Sequence, residues 1–201
     1  MKNSLIILSF FTAGLLAGLL RMLPDAMLEN DFSMYALYVL MFLVGVGIGA
    51  DKKSWSVIHQ MKLKIVMVPI GVILGTFAST ALVSLLLPGL KLKEVLAVGA
   101  GFGYYSLSSL LITQLGNESL GVIALLSNMM REMFTLLTTP LLVMYFGKLA
   151  GISSGGATSM DTTLPVITRF SGKEWSIISV FSGIVLTLLV PFLVTFILKY
   201  L

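Results

Sequence analysis

The chain has 201 residues, 57% of them hydrophobic and 11% charged, with a formal net charge of +4 and a mean hydropathy of +1.02. Soluble domains carry about 25% charged residues, so this balance excludes a soluble domain and indicates an integral membrane protein. The apolar residues run together instead of alternating over ~10-residue strands, which excludes a β-barrel and leaves an all-α, polytopic transmembrane helical bundle.

The positive charge calls for no nucleic-acid partner, because Lys and Arg gather in loops as the positive-inside rule expects. With no cysteine, disulfides and thiolate metal sites are excluded. The single histidine, His59, falls in a loop, so neither a metal centre nor a cofactor is expected. We read residues 1–201 as one integral-membrane transporter domain of about seven membrane elements, multi-pass in the cytoplasmic (inner) membrane.

In chain order, residues 4–23 form a first span, read as retained and not as a cleaved leader. Gly14 and Gly18 in it permit close helix packing. The loop that follows carries Asp25, Glu29 and Asp31, and a second span, 32–48, ends in Gly45, Gly47 and Gly49. The loop 51–64 holds Lys52, Lys53, Lys62 and Lys64 and is assigned to the cytoplasm. The N-terminus is then inside. Span three (65–87) runs outward and stops at Pro88-Gly89, span four (95–115) returns, and span five (120–146) runs outward again. A short mixed element, 156–170, is expected to cross inward, which places Lys148 outside and Arg169 and Lys173 inside. A last span, 177–200, leaves the C-terminus outside. Trp55 and Trp175 are expected to anchor at the interfaces.

Near the middle of span five stand two adjacent charges, Arg131 and Glu132. A charge at the centre of a span costs at least ~2.5–3.5 kcal/mol, so both must be satisfied inside the bundle or in a wet cavity. Asn128, Glu132, Thr135 and Thr139 share one helical face. An acid in a polar stripe on an apolar helix reads as the wall of a pathway; the alternative is an Arg–Glu pair that only fixes packing.

Two stretches are irregular. Span four contains Gly99, Gly101 and Gly103 at alternate positions, followed by the hydroxyls of Tyr104, Tyr105, Ser106, Ser108 and Ser109. Such a break frees backbone groups, which membranes tolerate only inside protein or beside a cavity. The second stretch, 153–165, carries Gly155, Gly156, Thr158, Ser159, Asp161, Thr162 and Thr163 before Pro165. It reads either as an extramembrane loop or as a second broken element with Asp161 at membrane depth. Paired irregular segments point to a transporter site.

Together GFGYYSLSS (101–109), Arg131-Glu132 after Asn128, and GATSMDTTLPVITR (156–169) resemble the bacterial lysine exporter family (LysO type), over nearly the whole chain. The resemblance implies an exporter of L-lysine coupled to H⁺. Glu132 would be the intramembrane carboxylate, with Asp161 and the Ser/Tyr stretch lining the same site. Single-chain members of the family are longer by roughly three spans, so the resemblance also implies a small, separately encoded membrane subunit as partner. Ten elements in all would suit two five-element repeats of inverted topology. A homo-oligomer is left open.

Lysine carries a carboxylate and two ammonium groups. Backbone N–H groups at the half-helix ends near 101–106 and 156–158 are expected to hold the carboxylate. Glu132 and Asp161 are expected to hold an ammonium group, with Glu132 protonated when the site is free. The substrate- and proton-binding candidates are thus Glu132, Asp161, Asn128, Arg131, Tyr104, Tyr105, Ser106, Ser108, Ser109, Thr158, Ser159 and Thr162. An enzyme is not expected: Gly47-Ile48-Gly49-Ala50-Asp51 misses the aspartyl intramembrane protease motif by one residue. The remaining alternatives are a transporter of another cationic amino acid or cation, and a membrane subunit that transports nothing.

Overall fold

A computed structural model describes residues 63–201, together with positions 13, 16, 17, 20, 35, 39, 42 and 46. The two expected N-terminal spans, their acidic loop and the Lys-rich loop lie outside the described residues. By its contacts the chain divides into two compact units, Met1–Leu40 and Met41–Leu201, and every element below belongs to the second.

Among the described residues there are seven α-helices and no strand: α1 (Met67–Ser84), α2 (Leu92–Gly99), α3 (Tyr105–Leu115), α4 (Glu118–Phe146), α5 (Leu149–Gly155), α6 (Leu164–Ser171) and α7 (Ser176–Tyr200). A 3-10 turn, Leu63–Val66, leads into α1 and another, Gly156–Met160, follows α5. The protein is a helical membrane bundle. Among the described residues, three stretches are long and apolar enough to cross a bilayer: Met67–Ser84, Glu118–Phe146 and Lys173–Tyr200.

Helix α4 organises the unit. At 29 residues it reaches about 44 Å. Its start is fixed by Asn117, whose side chain accepts a hydrogen bond from the Leu120 N–H at 2.8 Å, and by Glu118 in the first turn, both favourable at a helix N-terminus. One face, Leu120, Ala124, Asn128, Thr135 and Thr139, is buried against the other helices, whereas Met130, Phe134 and Leu137 point outward. Thr135 and Thr139 donate to the carbonyls one turn back, Arg131 and Thr135, so their hydroxyls cost little in an apolar setting. Helix α3 packs against the first half of α4, where a Cβ on Gly121 would overlap the Thr113 hydroxyl. Helix α7 supplies the deepest apolar wall, with Leu186, Val190 and Val194 fully buried.

Helices α5 and α6 form an antiparallel hairpin. Its base is closed by the Ser171 hydroxyl donating to the Lys148 carbonyl at 2.9 Å and the Lys148 ammonium donating to the Phe170 carbonyl at 3.2 Å. Further in, Ile167 packs over Gly151 and Gly155, and the Thr163 hydroxyl lies against Gly155. The segment therefore returns to the end it left. This corrects the expectation that 156–170 crosses the membrane. An arm of seven residues rises only about 10 Å, too little for a ~30 Å hydrocarbon layer. The sequence reading began the element at Gly156 and missed α5, because its Gly-Ile-Ser-Ser-Gly ending lacks a helical apolar pattern. Lys148 consequently lies at the same end as Arg169 and Lys173, not opposite them.

Candidate functional site

The hairpin tip meets the interruption between α2 and α3 halfway along α4. Helix α2 stops at Gly99, which packs directly on Thr76 and Thr80 of α1. The chain then turns through two left-handed residues, Phe102 (φ +47°) and Gly103 (φ +97°). Left-handed geometry is uncommon for a residue as bulky as Phe and costs on the order of 1–3 kcal/mol. Phe102 is held in it from three sides. Its side chain is fully buried, its ring packs at 5.8 Å on Phe77, and its carbonyl accepts from the Ala157 N–H of the hairpin tip at 2.9 Å.

Asn128 supports this turn from α4. Its Oδ1 accepts from the Gly103 N–H at 2.7 Å, and its Nδ2 donates to the carbonyls of Val98 (3.1 Å) and Ala124 (2.9 Å). No other side chain has the acceptor and the two-proton donor that this geometry uses, apart from the longer Gln. Asn128→Leu would leave the buried Gly103 N–H without its partner, at about 1–3 kcal/mol for that group alone. We expect the variant to lose roughly 5–10 °C in melting temperature, at about 2–4 °C per kcal/mol for a chain of this size. Melting of the detergent-purified protein checks this.

Arg131 supports the hairpin. Its Nε donates to the Ser154 carbonyl at 2.9 Å and its Nη2 to the Ser153 carbonyl at 3.0 Å, while Nη1 reaches the Thr76 hydroxyl at 3.2 Å. Ser153 and Ser154 lie in the last turn of α5, so the guanidinium caps carbonyls that a helix end leaves unpaired. The Thr135 and Ser154 hydroxyls share a 2.7 Å hydrogen bond just below. Arg131 is thus partnered by neutral oxygens on α1 and α5, and Glu132 is not among its hydrogen-bond partners.

Glu132 turns toward the hairpin's other arm. Its half-buried carboxylate lies by the Thr162 hydroxyl and within electrostatic range of Asp161 and Tyr105, and Tyr104 is within range of Asp161. Two acids and two phenols therefore converge where the interrupted helices meet. Asp161 is exposed and accepts from the Thr162 N–H at 2.6 Å.

The smaller hydroxyls are placed as follows. Ser108 donates to the Tyr104 carbonyl (2.8 Å) and Ser109 to the Ser106 carbonyl (3.1 Å). Thr158 donates to the Gly155 carbonyl (2.9 Å). Ser159 is fully buried and reaches the Ser179 carbonyl (2.9 Å), while Ser179 donates back to the Ser159 carbonyl (2.7 Å). That reciprocal pair fastens the hairpin tip to α7. Among the serine and threonine candidates, Ser106 and Thr162 are the two whose hydroxyls are not seen donating to a protein carbonyl. Three contributors escaped the sequence reading: Thr76, Ser154 and Phe102. Thr76 had a weak signal, since Thr76, Ser79 and Thr80 cluster in an otherwise apolar span.

A cavity of about 570 Å³ opens between α1, α2 and α4. Val83, Val95, Val98 and Ile123 wall it, and Asn128 and Arg131 reach into it.

Two comparisons bear on this arrangement. The family described as lysine exporter LysO matches residues 8–198. The chain is 31% identical over 170 residues to "Lysine exporter LysO" of Escherichia coli (strain K12), a match covering 83% of this chain and 55% of that protein. It is 30% identical over 167 residues to a Haemophilus influenzae protein named "Putative lysine exporter", covering 83% of this chain and 84% of the other. The chain thus spans about half the length of the E. coli relative. No solved structure matches significantly.

Proposed function

Because the chain belongs to the lysine exporter LysO family, we propose that it exports L-lysine across the cytoplasmic membrane in exchange for protons, together with a small, separately encoded membrane subunit. The observation that carries this reading is the convergence of Glu132 and Asp161 beside Tyr105 and Thr162 at the junction of the interrupted helices. Half-helices that end at membrane depth are the usual material of a transporter site, and carboxylates there are the natural partners of an ammonium group.

In this mechanism the Glu132 carboxyl group is protonated while the site is free. Loss of that proton leaves a carboxylate that pairs with an ammonium group of lysine. Departure of lysine to the far side lets a proton return, so one charge replaces the other and no unpaired carboxylate is left at membrane depth, where it would be costly. Asp161, with Thr162 and Tyr105, lines the route on the hairpin side. Asn128, Ser108, Ser109, Thr158 and Ser159 hold the frame, and Tyr104 and Ser106 border it. The partner is motivated by the E. coli relative, nearly half of which lies outside the match.

Radiolabelled lysine flux in proteoliposomes, with this chain alone and with its partner, tests the proposal. Flux only with the partner supports a composite exporter. Flux with this chain alone assigns the pathway to copies of this chain and removes the partner. Transport of a different cation, with no lysine flux in either case, retains the architecture and overturns the substrate.

A further inference from the structure

Four of the backbone donors at this junction are already engaged. The Gly103 N–H donates to Asn128, the Ala157 N–H to Phe102, and the Asp161 and Thr163 N–H groups to the Thr158 carbonyl. An anion beside α4 gains most from a cation, and among the described residues Arg131 is the one whose side chain lines the cavity between α1, α2 and α4.

We infer that this cavity is a carboxylate subsite anchored by Arg131. A guanidinium has five N–H donors. Three are engaged, one each on Nε, Nη1 and Nη2, and all three go to neutral oxygens. One N–H remains on each terminal nitrogen, enough donors for the two oxygens of a carboxylate. Among the described residues the positive charge has no anionic hydrogen-bond partner, and in an apolar bundle a charge so placed favours a counter-ion strongly. The cavity is also lined by Ser127, by Thr76, whose hydroxyl meets the guanidinium at 3.2 Å, and by the aliphatic Val83, Val95, Val98 and Ile123. That combination takes a small amphiphile: a carboxylate at the floor and a methylene chain along the walls.

The cavity is also sterically available for this. A Cβ on Gly71 or Gly75, both on the α1 wall, meets no atom of the described residues within 4 Å. Glu132 is not part of the lining, so the anion and cation subsites lie on different faces of α4, about 100° apart. Identification of the ligand as an amino acid rests on the exporter reading above; the anion subsite does not.

The test measures ligand-induced stabilisation of the purified protein in nanodiscs, with its partner where the two co-purify. Three probes are used: L-lysine, cadaverine (lysine without its carboxylate) and hexanoate (a carboxylate on an aliphatic chain). Lysine and hexanoate are expected to stabilise the protein and to compete. Arg131→Gln is expected to weaken both at least tenfold and to leave the cadaverine response unchanged. Since Arg131 also caps α5, a second variant is needed. Gly75→Leu fills the cavity and leaves Arg131 in place, and it is expected to weaken lysine and hexanoate alike. Hexanoate binding that depends on Arg131, with lysine binding that does not, upholds the anion subsite and removes lysine as its occupant, while the exporter reading stands or falls with the flux assay. The subsite is overturned if hexanoate fails to bind the wild type, if Gly75→Leu leaves hexanoate and lysine binding intact, or if Arg131→Gln weakens cadaverine as much as lysine.

Discussion

Glu132→Gln is expected to reduce lysine export at least about a hundredfold while the protein still inserts and folds. Gln matches Glu in size and keeps an oxygen for the Thr162 hydroxyl, so packing is preserved. What it loses is the charge and the exchangeable proton. Two opposite charges about 4 Å apart near a protein surface interact by roughly 4 kcal/mol, which corresponds to about a thousandfold in an equilibrium constant; partial solvent screening brings the expectation nearer to a hundredfold. Asp161 is a poor substitute, because it is exposed and already accepts the Thr162 N–H at 2.6 Å. The measurement is lysine flux driven by an imposed proton gradient, read beside membrane content and melting temperature. Undiminished flux in the variant would remove Glu132 from the mechanism.

The second large effect is expected at Gly156. Its φ is +60° with ψ of −123°, a conformation that residues with a Cβ rarely adopt. A Cβ there would also overlap the Phe102 carbonyl oxygen and approach the Arg131 guanidinium at 3.1 Å. Both obstacles are rigid: one is backbone, and the other is fixed by three hydrogen bonds. Gly156→Ala is therefore expected to push the hairpin tip off the Phe102 turn and to break the Ala157 N–H to Phe102 contact. We expect loss of most transport and a melting temperature lowered by roughly 10 °C, since strain of about 1–3 kcal/mol adds to a lost backbone hydrogen bond. A neighbouring control, Gly147→Ala, also removes a positive-φ glycine (+87°), but no atom of the described residues lies within 4 Å of its Cβ. It should melt closer to the wild type and retain export. Equal behaviour of the two variants would mean that strain alone, and not the contact between the two turns, accounts for the loss.

Much of this was legible in the sequence because the membrane makes polar residues conspicuous. Asn128, Arg131 and Glu132 stood out against an apolar helix, and alternate glycines marked the turn at 99–103. What was hidden depended on contacts between distant segments. Nothing in the spacing of Arg131 said that it would cap Ser153 and Ser154, twenty-two and twenty-three residues on. The hairpin was misread because its first arm is short and ends in serines and glycines. Those residues suit a helix packed on Thr139 and Ile167, but carry no apolar period to announce it. Phe102 was passed over because a bulky residue between two glycines gives no sign of being the one held left-handed.

The hairpin also bears on the order in which the protein is put together. Neither arm is among the stretches long and apolar enough to enter a bilayer unaided, and its tip brings the buried hydroxyls of Thr158, Ser159 and Thr163. In lipid alone the Ser153 and Ser154 carbonyls, which Arg131 binds, would go unsatisfied. Arg131 on α4 and Ser179 on α7 satisfy groups at the tip, and both stand on helices that do qualify as spans. The translocation machinery would deliver α4 and α7 first. The segment between them would wait at the surface and then slide in as a plug, entering a socket whose walls are already standing.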